Sequence, residues 1–370
     1  MPDATGRPMK ALLRAALATA ATIAIAGCSS SRPAEVNGEQ VPANEAAATT
    51  ATLASFRAMV EHEYAAGQRP APRDAHAKGQ GCMRATVTID PHLPADLRHG
   101  VFSSAHTYAA WIRMSNGAPV RDPDGMPDGR GMAIKLVGVD GPKLIPDELH
   151  TQDFLMIDFP VFFSATVADY AGLANALEHG TVEQFVTTHP QTGRIIAAMG
   201  GQTVDNLFNQ RYFSMSPYKL GSTYVKFAAR PAPCPIVSHL GSADMDDPNG
   251  LRAQMVSDLS RGDACYELQL QPRTDPASMP IEDASALWDE SKAPFVDAAF
   301  VDIPKQTFDS AAQQKFCEEN LSFTPWHGTT DFRPVGGINR LRLVAYRAGS
   351  QLRHALNHAK SIEPTGDERF

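Results

Sequence analysis

Arg342-Leu343-Val344-Ala345-Tyr346, followed two helical turns later by Arg353, is the stretch around which the rest of the chain is read. Gly336-Gly337 precedes it, and the run 339–356 reads as a helix. Residues four apart share a helix face, so Arg342 lies beside Tyr346 and Arg353 falls on roughly the same side. A phenol ionises near pH 10 and is a poor metal ligand until a neighbouring cation favours its phenolate. Arg342 supplies such a cation, and the guanidinium of Arg353 suits a carboxylate with paired donors. On its own, an Arg and a Tyr at this spacing describe equally well a surface cation lying against an aromatic ring. The reading as the proximal wall of a haem pocket therefore needs support from elsewhere in the chain.

With 370 residues the chain is long enough for one large domain or two ordinary ones. Its formal charge of −8, without a basic stripe, argues against nucleic acid as the main partner. The N-terminus reads as an address. Arg7, Lys10 and Arg14 precede a small apolar run, Ala15 to Ala26, too short to span a bilayer permanently. Ile25-Ala26-Gly27-Cys28 resembles the bacterial lipobox, which implies cleavage before Cys28 and lipidation of its thiol; Ser29 then fits sorting to the outer membrane. An ordinary secretory signal cut near Ala26 is the alternative. The expected organisation is a signal peptide over 1–27, a Ser/Pro/Ala-rich tether over 28–50 and one folded domain over 51–365. The mature protein is expected in the periplasm, lipid-anchored to the outer membrane of a Gram-negative bacterium. Cys82, Cys234, Cys265 and Cys317 match no zinc spacing. In an oxidising compartment Cys234–Cys265 is the preferred disulfide pair, with buried free thiols as the other reading.

Along the chain, residues 48–66 carry helical spacing (Leu53, Phe56, Met59, Val60). Alternating segments then read as strands at Arg84–Ile89, Tyr108–Ser115 and Arg130–Val139, with an apolar run from Leu149 to Phe163. Helical patterning covers 166–199, and strands return at Tyr224–Ala229, Cys265–Gln271 and Ala298–Pro304. The result is a mixed α+β chain without internal repeats. Asp122-Pro123-Asp124-Gly125-Met126-Pro127-Asp128-Gly129 invites a calcium loop, but Met126 and Ala133 stand where an EF-hand needs oxygen ligands. A turn between strands is the better account.

Arg73-Asp74-Ala75-His76-Ala77-Lys78-Gly79 supplies a histidine flanked by cations, and Arg113 and Ser115 point to the same face of one strand. One His, one hydroxyl and two arginines form a cluster able to move protons and bind carboxylates. Together with Arg130-Gly131-Met132-Ala133-Ile134-Lys135, with Asp153 through Pro160-Val161-Phe162-Phe163, and with Arg342-x-x-x-Tyr346 and Arg353, these stretches stand in the order of the haem-dependent catalase superfamily. The chain resembles in particular its small, exported, catalase-related peroxidase branch, over most of residues 55–360.

The resemblance implies an α+β fold, a catalase-like antiparallel β-barrel with surrounding helices, and haem b bound beside it. It implies Tyr346 as the proximal iron ligand, Arg342 on its phenolate, His76 as distal acid–base and Ser115 orienting the ring. Arg73, Arg113 and Arg353 match propionate-binding arginines, and Phe162 or Phe163 lines the distal pocket. Asp158 departs from the pattern, standing at the place of the distal asparagine when the segment is counted without gaps. A carboxylate there accepts where an amide donates, which would alter peroxide positioning; a shifted alignment would leave it outside the pocket. The implied activity is peroxidase-like reduction of hydrogen peroxide or small organic hydroperoxides through a ferryl haem, with an unknown small-molecule electron donor and weak catalase activity. The alternatives are a hydroperoxide isomerase of the allene oxide synthase type and a non-enzymatic haem-binding protein.

Overall fold

A computed structural model describes residues 34–36, 39–236 and 240–370; the stretch expected to be a signal peptide and Cys28 lie outside the described residues. The strands β1 (Gly79–Ile89), β2 (Thr107–Asn116), β3 (Arg130–Val137), β4 (Thr151–Ile157), β5 (Tyr212–Phe213), β6 (Thr223–Ala232), β7 (Ala264–Pro272) and β8 (Val296–Ile303) each pair antiparallel with the next. β8 returns to β1, with Val301 opposite Val87, and the sheet closes. Closure leaves none of these eight strands with a free edge. Two short strands, Tyr218–Leu220 and Phe332–Pro334, extend from β6.

Period-two alternation decides which side chains fill the barrel. Met83, Val87, Ile112, Met114, Ile134, Leu136, Phe154, Phe227, Leu268 and Val301 point inward and are buried in one apolar cluster. The intervening residues of β2 face outward, and these include Trp111, Arg113 and Ser115. They are buried as well, because helices and the C-terminal tail cover that wall.

Seven helices surround the barrel among the described residues: α1 (Glu45–Ala65), α2 (Val167–Glu178), α3 (Val182–Thr188), α4 (Pro190–Gly200), α5 (Gly250–Arg261), α6 (Ala311–Lys315) and α7 (Gly337–Leu356). α1 packs against α2 and α7. α2 opens with a reciprocal capping box between Thr166 and Asp169. α7 follows Gly336, whose φ of 88° and close approach to the Ile281 carbonyl leave no room for a side chain. Ile338, Leu341 and Ala345 form its buried apolar stripe. A five-residue π-helical turn, Phe316–Asn320, continues α6 and faces α7.

Six of the eight barrel strands fall on segments read as strands in the sequence; β4 lies within the apolar run 149–163, and β5 was not among the expected strands. Four further details differ. The helical run expected over 166–199 is three helices, broken at Gly180, where φ is 67°, and at His189-Pro190. α5 was not among the expected elements, although Leu251, Met255 and Leu259 repeat every fourth residue and are buried. The tether expected to run to residue 50 is already folded from Glu39: this carboxylate is buried and paired with Arg333 and Arg340, and α1 starts at Glu45. At the other end Glu368 accepts from the Trp111 indole at 3.2 Å, so the fold continues past residue 365.

The four cysteines among the described residues form two bridges. Cys234–Cys265 is the expected pair, and Cys82–Cys317 joins β1 to the π-helical turn across 235 residues. Asp124, inside the apparent calcium loop, is fully buried; its carboxylate takes up Lys78, Gln80, Asn116 and the backbone N–H of Leu251. That loop is a polar staple between strands.

Candidate active site

A cavity of about 330 Å³ lies between the outer wall of β2–β4 and the helices α1, α2, α4 and α7. His76, Ser115, Arg113 and Gly131 line it from the barrel side, and Arg342, Tyr346 and Arg353 from α7. Two stretches 270 residues apart in sequence thus line one space.

His76 enters from the loop before β1. Its backbone has φ 56°, a conformation few L residues adopt, and is held by an N–H bond to the Gly117 carbonyl at 3.1 Å. Nδ1 lies 3.0 Å from Ser115 Oγ and 3.1 Å from the Asn116 carbonyl. A carbonyl only accepts, so the tautomer with the proton on Nδ1 fits, and Nε2 keeps its lone pair. Burial, reinforced by the cations Arg113 and Arg342, lowers the ring pKa from 6.5 to about 4. At neutral pH His76 is an uncharged base. Its ring lies over Gly131, where a Cβ would come within 2.6 Å of it.

On the opposite wall Arg342 Nη2 donates to the Tyr346 hydroxyl at 3.1 Å, and the guanidinium carbon stands 5.1 Å from the centre of that ring. Asn339 accepts from Arg342 Nη1 at 3.3 Å. Burial pushes Arg342 towards losing its proton, but the oxygen of Tyr346 and the hydroxyl of Tyr218 outweigh it and raise its pKa. A permanently charged donor therefore faces one half-buried phenol oxygen.

Arg73, Arg113 and Arg353 gather at one edge of this cavity. Arg113 grips Glu318 through Nε and Nη2, both at 2.9 Å. Arg73 donates to the carbonyls of Cys317 and Leu321, and Arg353 to those of Glu318, Glu319 and Leu321. Burial would raise the Glu318 carboxyl, but Arg113 and Arg73 hold it at about 2. Arg73 Nε is buried without a hydrogen-bond partner. That nitrogen stands 3.8 Å from Glu318 Oε2, and three guanidinium groups at one edge are the kind of cluster a carboxylated ligand requires.

Phe162 and Phe163 stack on each other with ring centres 4.2 Å apart, and both line the cavity. Asp158 does not line it. Its Oδ1 accepts from the Arg130 N–H at 2.8 Å and its Oδ2 is buried without a partner; burial raises the carboxyl to about 6. Any influence of Asp158 on a ligand in the cavity is indirect. Two carboxylates that were not singled out do line the space. Asp128 accepts from the N–H groups of Gly117 and Ala118, and Asp74, raised by burial to about 6, sits against Gly349. Asp128 was hidden in a Gly/Pro/Asp-rich turn, where a carboxylate carries no signal of its own.

Behind the phenol wall, Glu148, Asp153 and His327 form a compact buried set of metal-ligating groups. Lys135 Nζ stands among them, 2.8 Å from Asp153 Oδ1 and 3.1 Å from His327 Nδ1. Its ammonium already balances the carboxylates, which raise its pKa against the effect of burial.

No family model matches this chain and no curated protein matches it significantly. Among solved structures a fungal catalase superposes with a TM-score of 0.61 at 16% sequence identity, over 82% of this chain and 64% of that one. The chain thus spans under two thirds of that catalase's length. The closed eight-stranded antiparallel barrel with its seven helices is a catalase-like α+β fold.

Proposed function

We propose that this protein is a haem-dependent enzyme that reduces hydrogen peroxide or small organic hydroperoxides, of the small, exported, catalase-related peroxidase type. The observation that carries this reading is the single cavity with an uncharged His76 on one wall and the Arg342–Tyr346 pair on the other. The residues fit haem b. The Tyr346 oxygen, which accepts from Arg342, would be the iron ligand. Arg73, Arg113 and Arg353, which line one edge of the cavity, would meet the propionates. Phe162, Phe163 and Leu341 would border the ring. When bound, the haem would supply the redox chemistry that splits the peroxide O–O bond and draws electrons from a small-molecule donor.

The chain's own part is proton handling and positioning. His76 Nε2 takes the proton from the incoming peroxide and returns it to the departing oxygen, which leaves as water or alcohol. Ser115 and Asn116 hold the ring and fix its tautomer. The apolar side chains exclude bulk water, so Arg342 acts on Tyr346 in a low dielectric. Export through the N-terminal signal, with a lipid on Cys28, would put this chemistry in the periplasm.

The test is an absorbance spectrum of haem-reconstituted protein, wild type and Tyr346→Phe, before and after peroxide. A Soret band displaced in the variant, and a peroxide-induced spectrum that a phenolic donor reverses, are expected. Stoichiometric haem with fast oxygen release and no donor oxidation would sink the peroxidase assignment. An epoxide product from a fatty-acid hydroperoxide would point to an isomerase, and absence of haem binding would end the reading altogether.

A further inference from the structure

Glu318 has no part in the chemistry above, yet it is built into the edge of the site with care. Its carboxylate rests on Gly79, where an added Cβ would collide with it. It engages Arg113 through two bonds of 2.9 Å and stands 3.8 Å from Arg73 Nε. Its own carbonyl accepts from Arg353. The adjoining residue, Cys317, is bridged to Cys82 in β1, which fixes the π-helical turn on the barrel wall. Glu318 is absent from the lining of the cavity, while all three arginines belong to it. The carboxylate therefore sits behind the arginines, away from any ligand they hold. Like charges disfavour one another: burial lowers the pKa of Arg73, and Arg353 and Arg113 lower it further.

We infer that Glu318 is a fixed internal counter-charge, which holds the Arg73–Arg113–Arg353 cradle together and limits how strongly the site weighs the carboxylates of its ligand. One anion against three cations leaves two positive charges facing the cavity from this cluster. A ligand bearing carboxylates meets that excess, which Asp74 on the cavity side reduces in every variant alike. Asp74 is unchanged by substitution at 318, so it cancels when variants are compared. The inference rests on the proposed haem reading and adds to it a residue that sets ligand selectivity from behind the binding groups.

The experiment is a spectroscopic titration of haem b and of its propionate dimethyl ester into wild type, Glu318→Gln and Arg353→Gln. The readout is the ratio of the two affinities in each protein. Glu318→Gln removes one negative charge at nearly constant shape, and the preference for the diacid is expected to rise about tenfold. Arg353→Gln removes a positive charge, and the preference is expected to fall. A residue that only supports the fold would weaken both ligands alike and leave the ratio where it was. An unchanged or lowered ratio in Glu318→Gln, with haem still bound by the wild type, would overturn this inference alone. Wild-type protein that binds neither ligand would overturn it together with the haem reading. Should Glu318→Gln fail to fold, the direction of the Arg353→Gln shift decides: a ratio that does not fall refutes the charge count.

Discussion

Gly131 offers the sharpest separation of chemistry from folding. It lies in β3 beneath the His76 ring, and a Cβ there would stand 2.6 Å from Cε1 and Nδ1 and 2.8 Å from Ser115 Oγ. Ordinary contact begins at 3.4 Å, so Gly131→Ala demands a displacement of about 3.4 − 2.6 = 0.8 Å. The backbone of His76 is pinned to the Gly117 carbonyl, so the ring is the part that moves. Its Nδ1 bonds, now 3.0 and 3.1 Å, would then stretch beyond useful length. A misplacement on the order of 1 Å at a proton-transfer group costs about 10²-fold in rate. Crowding the core costs about 1–3 kcal/mol, partly offset by about 0.4–1 kcal/mol from the reduced freedom of the unfolded chain. The expected variant therefore folds, melts a few degrees lower, binds haem stoichiometrically and reduces peroxide about 100-fold more slowly. Stopped-flow absorbance with peroxide, thermal melting and haem quantitation measure all three. Wild-type rate at full haem occupancy would refute the assignment of His76 as the proton-transfer group.

Other outcomes follow from the same geometry. With His76 near pKa 4, peroxide reduction should hold its rate from neutrality down and fall only as the pH approaches 4; a limb near 6.5 in the pH–rate profile would contradict a buried, uncharged ring. The same shift has a stability sign: the unfolded chain takes up the proton first, so this group's contribution declines as pH drops from about 6.5 towards 4, measurable as a falling urea midpoint. Replacing Arg340 by Leu leaves Glu39 with Arg333 alone and takes the arginine partner from Glu45 and Glu282, and both Glu39 and Glu45 are buried. A loss of about 3–5 kcal/mol in denaturant unfolding is expected. Serine pairs at each disulfide should differ: loops of 235 and 31 residues give roughly 5 and roughly 4 kcal/mol on the loop-entropy account, so Cys82–Cys317 should cost more.

The sequence disclosed most of what repeats and little of what converges through loops. Alternation exposed the barrel strands because each has one face in a single apolar core. The i, i+4 pair Arg342–Tyr346 was legible because a helix fixes their distance locally. His76, Ser115 and the three arginines were read as one site only through a resemblance in the order of motifs, since no local rule brings residue 76 to residue 346. Asp158 shows the limit of counting. Its position in the string is right for a distal group, but its carboxylate satisfies the backbone of Arg130 and points away from the cavity lining. Glu318 was invisible for a different reason. It lies in a π-helical turn, where the helical period fails, and its partners come from residues 73, 79, 113 and 353.

α7 explains why one helix can serve several ends without conflict. Ile338, Leu341 and Ala345 anchor one stripe in the apolar cluster. Arg340, one position off that stripe, draws Glu39, Glu45 and Glu282 onto the first turn. Arg342, Tyr346 and Arg353 turn to the cavity, and Arg347 reaches out to Asp147. A 3.6-residue period distributes these tasks around the axis, so anchoring and chemistry use different side chains of one rigid body. The phenol oxygen is held by a helix docked over most of its length, whereas His76 is held by one strained residue and two hydrogen bonds. Substitutions that loosen the site should therefore reach proton transfer through His76 before they reach the bond between Arg342 and Tyr346.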